Sequence, residues 1–459
     1  MTYSALPHRG CRTSLIVAVR NHPFVPLRHR SVRLLWSAAV ISDVGTWVQL
    51  IVVGTLVARD TGSALQTGLV ALATFMPQGI ASPIGGLLAD RYDRRKVFGW
   101  ALTAQAAATA SLAVVLAAGV RMPMVLTALI LLSSVMGAMG QPAYSAMLPD
   151  LVPAEELMAI LSLGIFSWNG GRIVGPLLAS VLAFAVGPAW TVAFNALTFL
   201  VMAGAVSMVR RPFAPLGSDG GIVERLRDGW RAMRSTPGCW YGIRLLVLYN
   251  VTAVGFMGLV PFYATDVFDG STGLAGALAS AQGIGAILGG VVVTALFARF
   301  RRSSVLVGVI IALTVWLTLF ALAPTRLAAM ITIFILGGCA TAMFLSTTAF
   351  VQRDAPASRR GRVLSLQQGA GGTTYGIGLV AVGGLADLTS IRVAFIVGAW
   401  AMLLGFVVVN VRTGHWRKAA DGEMPPPTDE TLNAESVRVG WRRMLFGAGQ
   451  PVAEDFSGR

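Results

Sequence analysis

Apolar residues fill this chain in long unbroken runs, where a soluble fold would alternate them with polar ones. Twelve runs can be marked, at roughly 33–57, 67–89, 97–119, 124–146, 160–186, 189–209, 240–263, 273–297, 303–323, 327–350, 363–386 and 391–411. Each is long enough to cross a hydrocarbon core of about 30 Å at about 1.5 Å per helical residue. The pattern predicts an all-α membrane protein with twelve transmembrane helices. Polar residues gather in the gaps. The sharpest gap follows Gly85-Gly86-Leu87-Leu88-Ala89, where Asp90-Arg91-Tyr92-Asp93-Arg94-Arg95-Lys96 packs six charges into seven residues. That turn must face water.

The side each gap faces follows from Lys and Arg, which collect on the cytoplasmic side of short loops. One set of loops carries 17 cations: Arg91 to Lys96, Arg210 to Arg234, Arg299 to Arg302 and Arg353 to Arg362. The other set carries 4: Arg59, Arg121, Arg326 and Arg392. The protein is expected to be a multi-pass plasma-membrane protein with both termini cytoplasmic. Residues 1–30 read as a basic cytoplasmic tail and 31–209 as a six-helix bundle. Residues 210–239 form a cytoplasmic linker, within which Ile222–Met233 has the apolar spacing of a helix lying on the inner membrane surface. A second six-helix bundle occupies 240–411, and 412–459, with Pro425-Pro426-Pro427, reads as a largely disordered tail. Within that tail Trp441–Phe446 either touches lipid headgroups or stays solvated.

Composition agrees. The chain of 459 residues is 55% hydrophobic and 12% charged, with a mean hydropathy of +0.69. Soluble domains carry about twice that charge. The net charge of +15 would suit nucleic acid, but its cations sit in loops between spans, so no nucleic-acid partner is expected. Cys11, Cys239 and Cys339 have no metal or disulfide spacing. His8, His22, His29 and His415 all lie in the tails, so no metal site is expected in the membrane. No phosphate-binding Gly-x-x-x-x-Gly-Lys-Ser/Thr loop occurs, which excludes a self-contained ATP-driven pump on this chain. Catalysis and cofactors are not expected.

The chain also repeats itself. Pro153-Ala154 and Ile160-Leu161-Ser162-Leu163 recur 203 residues later as Pro356-Ala357 and Val363-Leu364-Ser365-Leu366. The end of span two, Gly85-Gly86-Leu87-Leu88-Ala89-Asp90, is echoed at the end of span eleven by Gly383-Gly384-Leu385-Ala386-Asp387 on the opposite face. Two parallel halves, each with an inverted repeat inside it, predict two pseudo-symmetric bundles. Spans two, five, eight and eleven are rich in glycine, which suits either tight static packing or surfaces on which the halves rock.

The spacing Gly86-x-x-x-Asp90-Arg91-x-x-Arg94-Arg95 resembles the loop between helices two and three of the major facilitator superfamily, which usually has glycine where this chain has Asp93. Ile41-Ser42-Asp43-Val44-Gly45-Thr46-Trp47-Val48-Gln49 is similar to the first span of a bacterial exporter branch that includes enterobactin exporters and macrolide-efflux proteins. Leu148-Pro149-Asp150-Leu151-Val152-Pro153 and Arg360-Gly361-Arg362-Val363-Leu364-Ser365 resemble that branch's inner loops. Gly171-Arg172-Ile173-Val174-Gly175-Pro176 is similar to the Gly-Pro element of proton-coupled drug exporters, although Ala179 and Ser180 replace glycines that often follow. The resemblance covers about residues 25–411. It implies the major facilitator fold and proton-driven export of a small amphipathic molecule such as a drug, siderophore or secondary metabolite, by a monomer. A symporter or lipid-moving relative, and a transport-dead sensor on the same scaffold, are the alternatives.

A charge at membrane depth is costly unless paired or hydrated, so it is a functional candidate. Asp43 and Arg172 both fall near the midplane, and Asp43 is expected to carry the coupling proton with Arg172 beside it; the alternative is a static ion pair. Trp47, Gln78, Trp168, Asn169, Asn250 and Gln282 are candidates for the substrate cavity, though some intramembrane amides will simply bridge helices. The family fold places Asp90 and Asp93 opposite Arg359, Arg360 and Arg362, with Gly86, Arg91, Arg94 and Arg95 in the same loop element. By pseudo-symmetry Glu155 and Glu156 face Arg299, Arg301 and Arg302. Together these charges are expected to latch the cytoplasmic side shut in the outward-open state.

Overall fold

The computed structural model describes residues 24–209, 213, 222–356 and 359–423. Among them every regular element is a helix. Helix α1 (Arg30–Thr61) ends at Gly62, whose φ of 62° turns the chain back. Ser63 then caps the next span by accepting from the Gln66 N–H. Pro77 and Pro83 each remove a backbone donor, so this span is jointed into α2 (Ala64–Phe75), α3 (Pro77–Ile80) and α4 (Ser82–Arg91). Asp93 accepts from the Arg95 N–H and starts α5 (Arg94–Ala117), which is followed by α6 (Pro123–Met147).

Helix α7 (Leu157–Ser207) is 51 residues long. At about 1.5 Å per residue that is about 75 Å, more than two bilayer cores, so it cannot be one crossing. Gly187, at φ 81°, divides it into two arms. The arms run in opposite directions past α1: Trp36 donates to the Leu163 carbonyl and Gly171 abuts Asp43 on the first arm, while on the second Asn195 reaches Gln49 and Phe199, Met202 and Val206 return to Val32 and Leu35.

The rest of the chain comprises α8 (Ile222–Ser235), α9 (Pro237–Thr252), α10 (Gly255–Gly258), α11 (Val260–Phe268), α12 (Thr272–Arg299) and α13 (Arg302–Ala321). It ends with α14 (Arg326–Asp354), α15 (Arg360–Leu388), α16 (Ile391–Thr413) and α17 (Trp416–Asp421). Among the described residues eight helical segments are long and apolar enough to cross a membrane. Counting both arms of α7, and adding the jointed α2–α4 and α9–α11 and the glycine-rich α15, the described helices group into twelve rods, six before α8 and six after it, consistent with twelve spans.

The described cores show how the two bundles meet. One contiguous core joins them at the cation-poor face, uniting Val48, Ile51, Val52, Ala64 and Ala71 with Phe256, Val260, Leu379 and Val382. At the cation-rich face there are two separate cores instead. One holds Val32, Leu35, Phe98, Met147 and Leu163; the other holds Met233, Ile243, Val351 and Val363. The glycines give the same answer. A Cβ on Gly79 would lie 2.4 Å from the Gly369 carbonyl oxygen, and one on Gly276 would lie 2.3 Å from that of Pro176. Toward the cation-rich ends, a Cβ on Gly86, Gly164 or Gly361 would meet nothing within 4 Å. The halves are thus sealed at the cation-poor face and parted at the other.

Two further segments dock on the second bundle. In the linker helix α8, Ala232 and Met233 bury against Cys239, Ile243 and Val363, Trp230 stays exposed, and Asp228 pairs with Arg362 at 3.2 Å. The segment after residue 412 is ordered through α17. Asp421 accepts from the backbone N–H and hydroxyl of Ser303, both at 2.8 Å, and Arg353 donates to the carbonyls of Ala419 and Ala420. Those contacts give a short segment enough partners to dock. Asp421→Ala is expected to lower the melting temperature in detergent by a few degrees, from loss of about 1–2 kcal/mol of charge-assisted bonding; an unchanged transition would show α17 contributes nothing. Residues 1–23 and 424–459, including Trp441–Phe446, lie outside the described residues.

Candidate functional site

The site is built where the first arm of α7 lies on α1. Residues four apart share a helix face, and Ser167, Gly171 and Gly175 form such a stripe. It meets the Asp43–Trp47 stripe of α1: a Cβ on Gly171 would lie 2.9 Å from the Asp43 Cβ, and one on Gly175 would lie 2.6 Å from that of Trp47. Only glycine permits this approach. The Gly171–Pro176 element therefore seats α1. Pro176 in turn presents its carbonyl to Gly276 of the other bundle.

With the helices this close, the Ser167 hydroxyl donates to the Asp43 carboxylate. Tyr144 of α6 lies within electrostatic reach of the same carboxylate. No ion pair joins Asp43 to Arg172, which differs from the expectation that the two sit together. The reason is angular. Arg172 is one residue past Gly171, about 100° around the helix, so it points away from Asp43 and its guanidinium lies 5.8 Å from the centroid of the Trp47 ring. It is only 9% exposed, and its Nε and Nη2 have no hydrogen-bond partner.

Around Trp47 the aromatic rings form a ladder between the bundles. Trp168 lies 5.4 Å from Trp47, Phe75 lies 6.3 Å from it on the other side, and Phe75 meets Tyr375 of α15 edge-on at 5.0 Å. Trp47 and Trp168 therefore do come together. Gln78 is exposed beside this ladder, one residue from Gly79. Asn169 turns back onto the Ile165 carbonyl of its own helix. Asn250 stitches α9 to α15, donating to the Gly371 carbonyl and Thr374 hydroxyl at 2.9 and 3.0 Å. Gln282 is 3% exposed with its Nε2 unpartnered. Phe75, Tyr375 and Ser167 were not legible as members of the site, because an isolated aromatic or serine in a span carries no signal in sequence.

The charges expected to form a latch are differently engaged in this open arrangement. Arg94 is buried, donating to the Ala146 carbonyl at 2.8 Å and pairing with Asp150 at 2.9 Å, while Arg95 donates to the Val209 carbonyl. Asp93 caps α5. Glu156 does not face Arg299; it is buried in its own bundle against Arg28 and His29. Arg362 holds Asp228 of the linker helix. Arg91, Glu155, Arg299 and Arg360 are exposed. Asp90 is the penultimate residue of α4, and Arg359 immediately precedes α15.

The opposite face holds a contact that the sequence echo marked without explaining. Asp387, at the end of α15, reaches across to the start of α2. Its carboxylate accepts from the Ser63 hydroxyl at 2.6 Å and from the backbone N–H groups of Ala64 and Leu65 at 2.6 and 3.2 Å. One bundle thereby caps a helix N-terminus of the other, where negative charge is favoured.

Known proteins share this chain's pattern over most of its length. It is 25% identical to macrolide efflux protein A of Streptococcus pyogenes over 391 residues, covering 82% of this chain and 93% of that one. It is 25% identical to the enterobactin exporter EntS of Salmonella typhimurium, with 87% and 96% covered, and 26% identical to the multidrug efflux pump Tap of Mycolicibacterium fortuitum, with 82% and 94% covered. Among solved structures it superposes on the nucleoside transporter NupG with a TM-score of 0.64 at 16% identity, covering 82% of this chain and 98% of that one. A bacterial homologue of the lysosomal transporter Spinster gives 0.64 at 16% identity, with 86% and 97% covered. These relatives are transporters, not enzymes. The transmembrane secretion effector family matches residues 21–440, and the chain belongs to that family of major facilitator transporters, within its efflux branch.

Proposed function

We propose that this protein exports a small amphipathic molecule from the cytoplasm by proton-coupled alternating access, with Asp43 as the proton carrier. The cation-rich face is the cytoplasmic one, and the parted bundles are the inward-open state, ready to load substrate. The single observation that carries the reading is the placement of Asp43. It is an intramembrane carboxylate one helical turn from the Trp47 ladder, held by a hydroxyl and by no cation. A carboxylate paired to arginine would have to break that pair to take up a proton. Asp43, bonded to Ser167, exchanges a proton while the hydroxyl simply changes from donor to acceptor. Substrate entering beside Trp47 displaces water from the same space, so loading and protonation compete. The efflux relatives support the outward direction.

Asp43→Asn is the test, in proteoliposomes with an imposed pH gradient and a dye panel of anionic, neutral and cationic amphipaths. Gradient-driven accumulation of whichever dye the wild type moves is expected to fall by at least about tenfold, in line with loss of an essential acid–base group. Exchange of the same dye without a gradient should persist. Undiminished gradient-driven transport by the variant would remove Asp43 from the mechanism.

A further inference from the structure

The feature the coupling reading leaves unused is Arg172. Its guanidinium is buried between the bundles, where an unpaired charge is costly, and it remains a cation at any working pH. No carboxylate among the described residues pairs with it. The two nitrogens without partners, Nε and Nη2, form one edge of the guanidinium fork, the edge that takes both oxygens of a carboxylate side-on. The neighbouring Trp47 Nε1 is likewise a buried donor without an acceptor. So the open valences gathered here are all N–H groups, three on two adjoining side chains. Around them stand flat apolar faces: Trp47 itself, Trp168 at 37% exposure, Phe75 and Tyr375.

We propose that this is the substrate subsite, and that it selects an organic oxyanion carried on an aromatic body: the oxyanion sits on the Arg172 fork and the Trp47 N–H, and the aromatic body stacks on the ladder. The inference rests on the exporter reading and adds the chemical class of its cargo. A cation would oppose Arg172 directly. A neutral aromatic would satisfy the rings and leave the fork orphaned. Both bundles would grip the bound molecule, because Arg172 belongs to the first while Tyr375 belongs to the second, and the Arg172–Ile173 backbone lies against Gly283 of α12. Loading would thereby relieve a buried charge in the state that is open to the cytoplasm.

The test is equilibrium binding, without any gradient, to the full chain in nanodiscs of phosphatidylcholine. Radiolabelled 2-naphthoate, 2-naphthalenemethanol and 2-naphthylmethylamine share one ring system and differ in charge. The wild type should prefer the naphthoate to the alcohol by about tenfold or more, as expected for a bidentate charge-assisted pair, and the amine should bind weakest. R172Q should abolish that preference, bringing the naphthoate's affinity down to that of the alcohol, and retained binding of the alcohol shows that the variant is folded. R172K, which keeps charge but loses the fork, should recover only part of it. W47F should weaken the naphthoate alone. Equal affinity of naphthoate and alcohol in the wild type, or an undiminished preference in R172Q, would overturn the proposal. So would loss of naphthoate binding when phosphatidylglycerol replaces phosphatidylcholine, since the site would then belong to a lipid headgroup. Failure of transport with the charge preference intact would count against the exporter reading and leave this subsite standing; charge-blind transport would do the reverse.

Discussion

Replacing Asp387 by asparagine is expected to shift the protein by about tenfold toward the state open on the outer face, because charge-assisted bonds to a helix N-terminus are traded for weaker neutral ones. The carboxylate lies on the Ser63 hydroxyl and on two backbone N–H groups of α2, and it is the only described side-chain carboxylate joining the bundles at that face. An amide offers one acceptor oxygen and turns an NH2 group toward donors. Nothing else in the seal changes, since Gly68 still packs on the Leu379 carbonyl and Gly79 on that of Gly369. Spin labels at Gly62 and Thr389, in a background with the native cysteines replaced, would show a longer-distance population growing at the expense of the short one. An unaltered distribution would mean that the apolar seal alone sets the balance.

The second expectation pairs two glycines with opposite signs. Gly86→Leu has room in the present structure, where a Cβ meets nothing, yet closure at the cytoplasmic face must bring the end of α4 against the start of α15. Gly79→Ala does the reverse. Its Cβ would lie 2.4 Å from the Gly369 oxygen and 2.5 Å from the Thr373 hydroxyl in the state seen here. Overpacking costs about 1–3 kcal/mol, which is roughly five- to hundredfold in a two-state balance. Gly86→Leu should therefore trap the inward-open form and Gly79→Ala should deplete it, with turnover falling in both. Labels on the cytoplasmic ends of α4 and α15 would report the two shifts, and shifts of the same sign would contradict rocking about this interface.

What could be read in advance follows from which quantities sequence encodes. Run length is encoded, because the bilayer's thickness sets it, and Asp43 and Arg172 both fall within long apolar helices. The break between 186 and 189 was legible from Gly187-Pro188, and Gly187 is where α7 turns. Azimuth across helices is not encoded. Whether Arg172 points at Asp43 or over Trp47 depends on which stripe of α7 meets α1, and Gly171 and Gly175 decide that only once the partner helix is known. Contacts distant in sequence were likewise hidden: Glu156 and Arg28 lie 128 residues apart, and Asp387 and Ser63 lie 324 apart. The charged loops read alike in sequence, yet their members divide between intrabundle struts such as Arg94 and residues left exposed such as Arg360.

The contact at the outer face is unequal in what its two sides need to preserve. On α2 most of the donors are main-chain amides, so Leu65 can drift to almost any residue but proline and still offer its N–H group, while Ala64 is held by its burial in the seal and not by the bond it donates. On α15 everything hangs on one acid. Over generations the tolerance of the one and the intolerance of the other should leave opposite imprints, a permissive position 65 facing a carboxylate at 387 that a single base change can cost the protein.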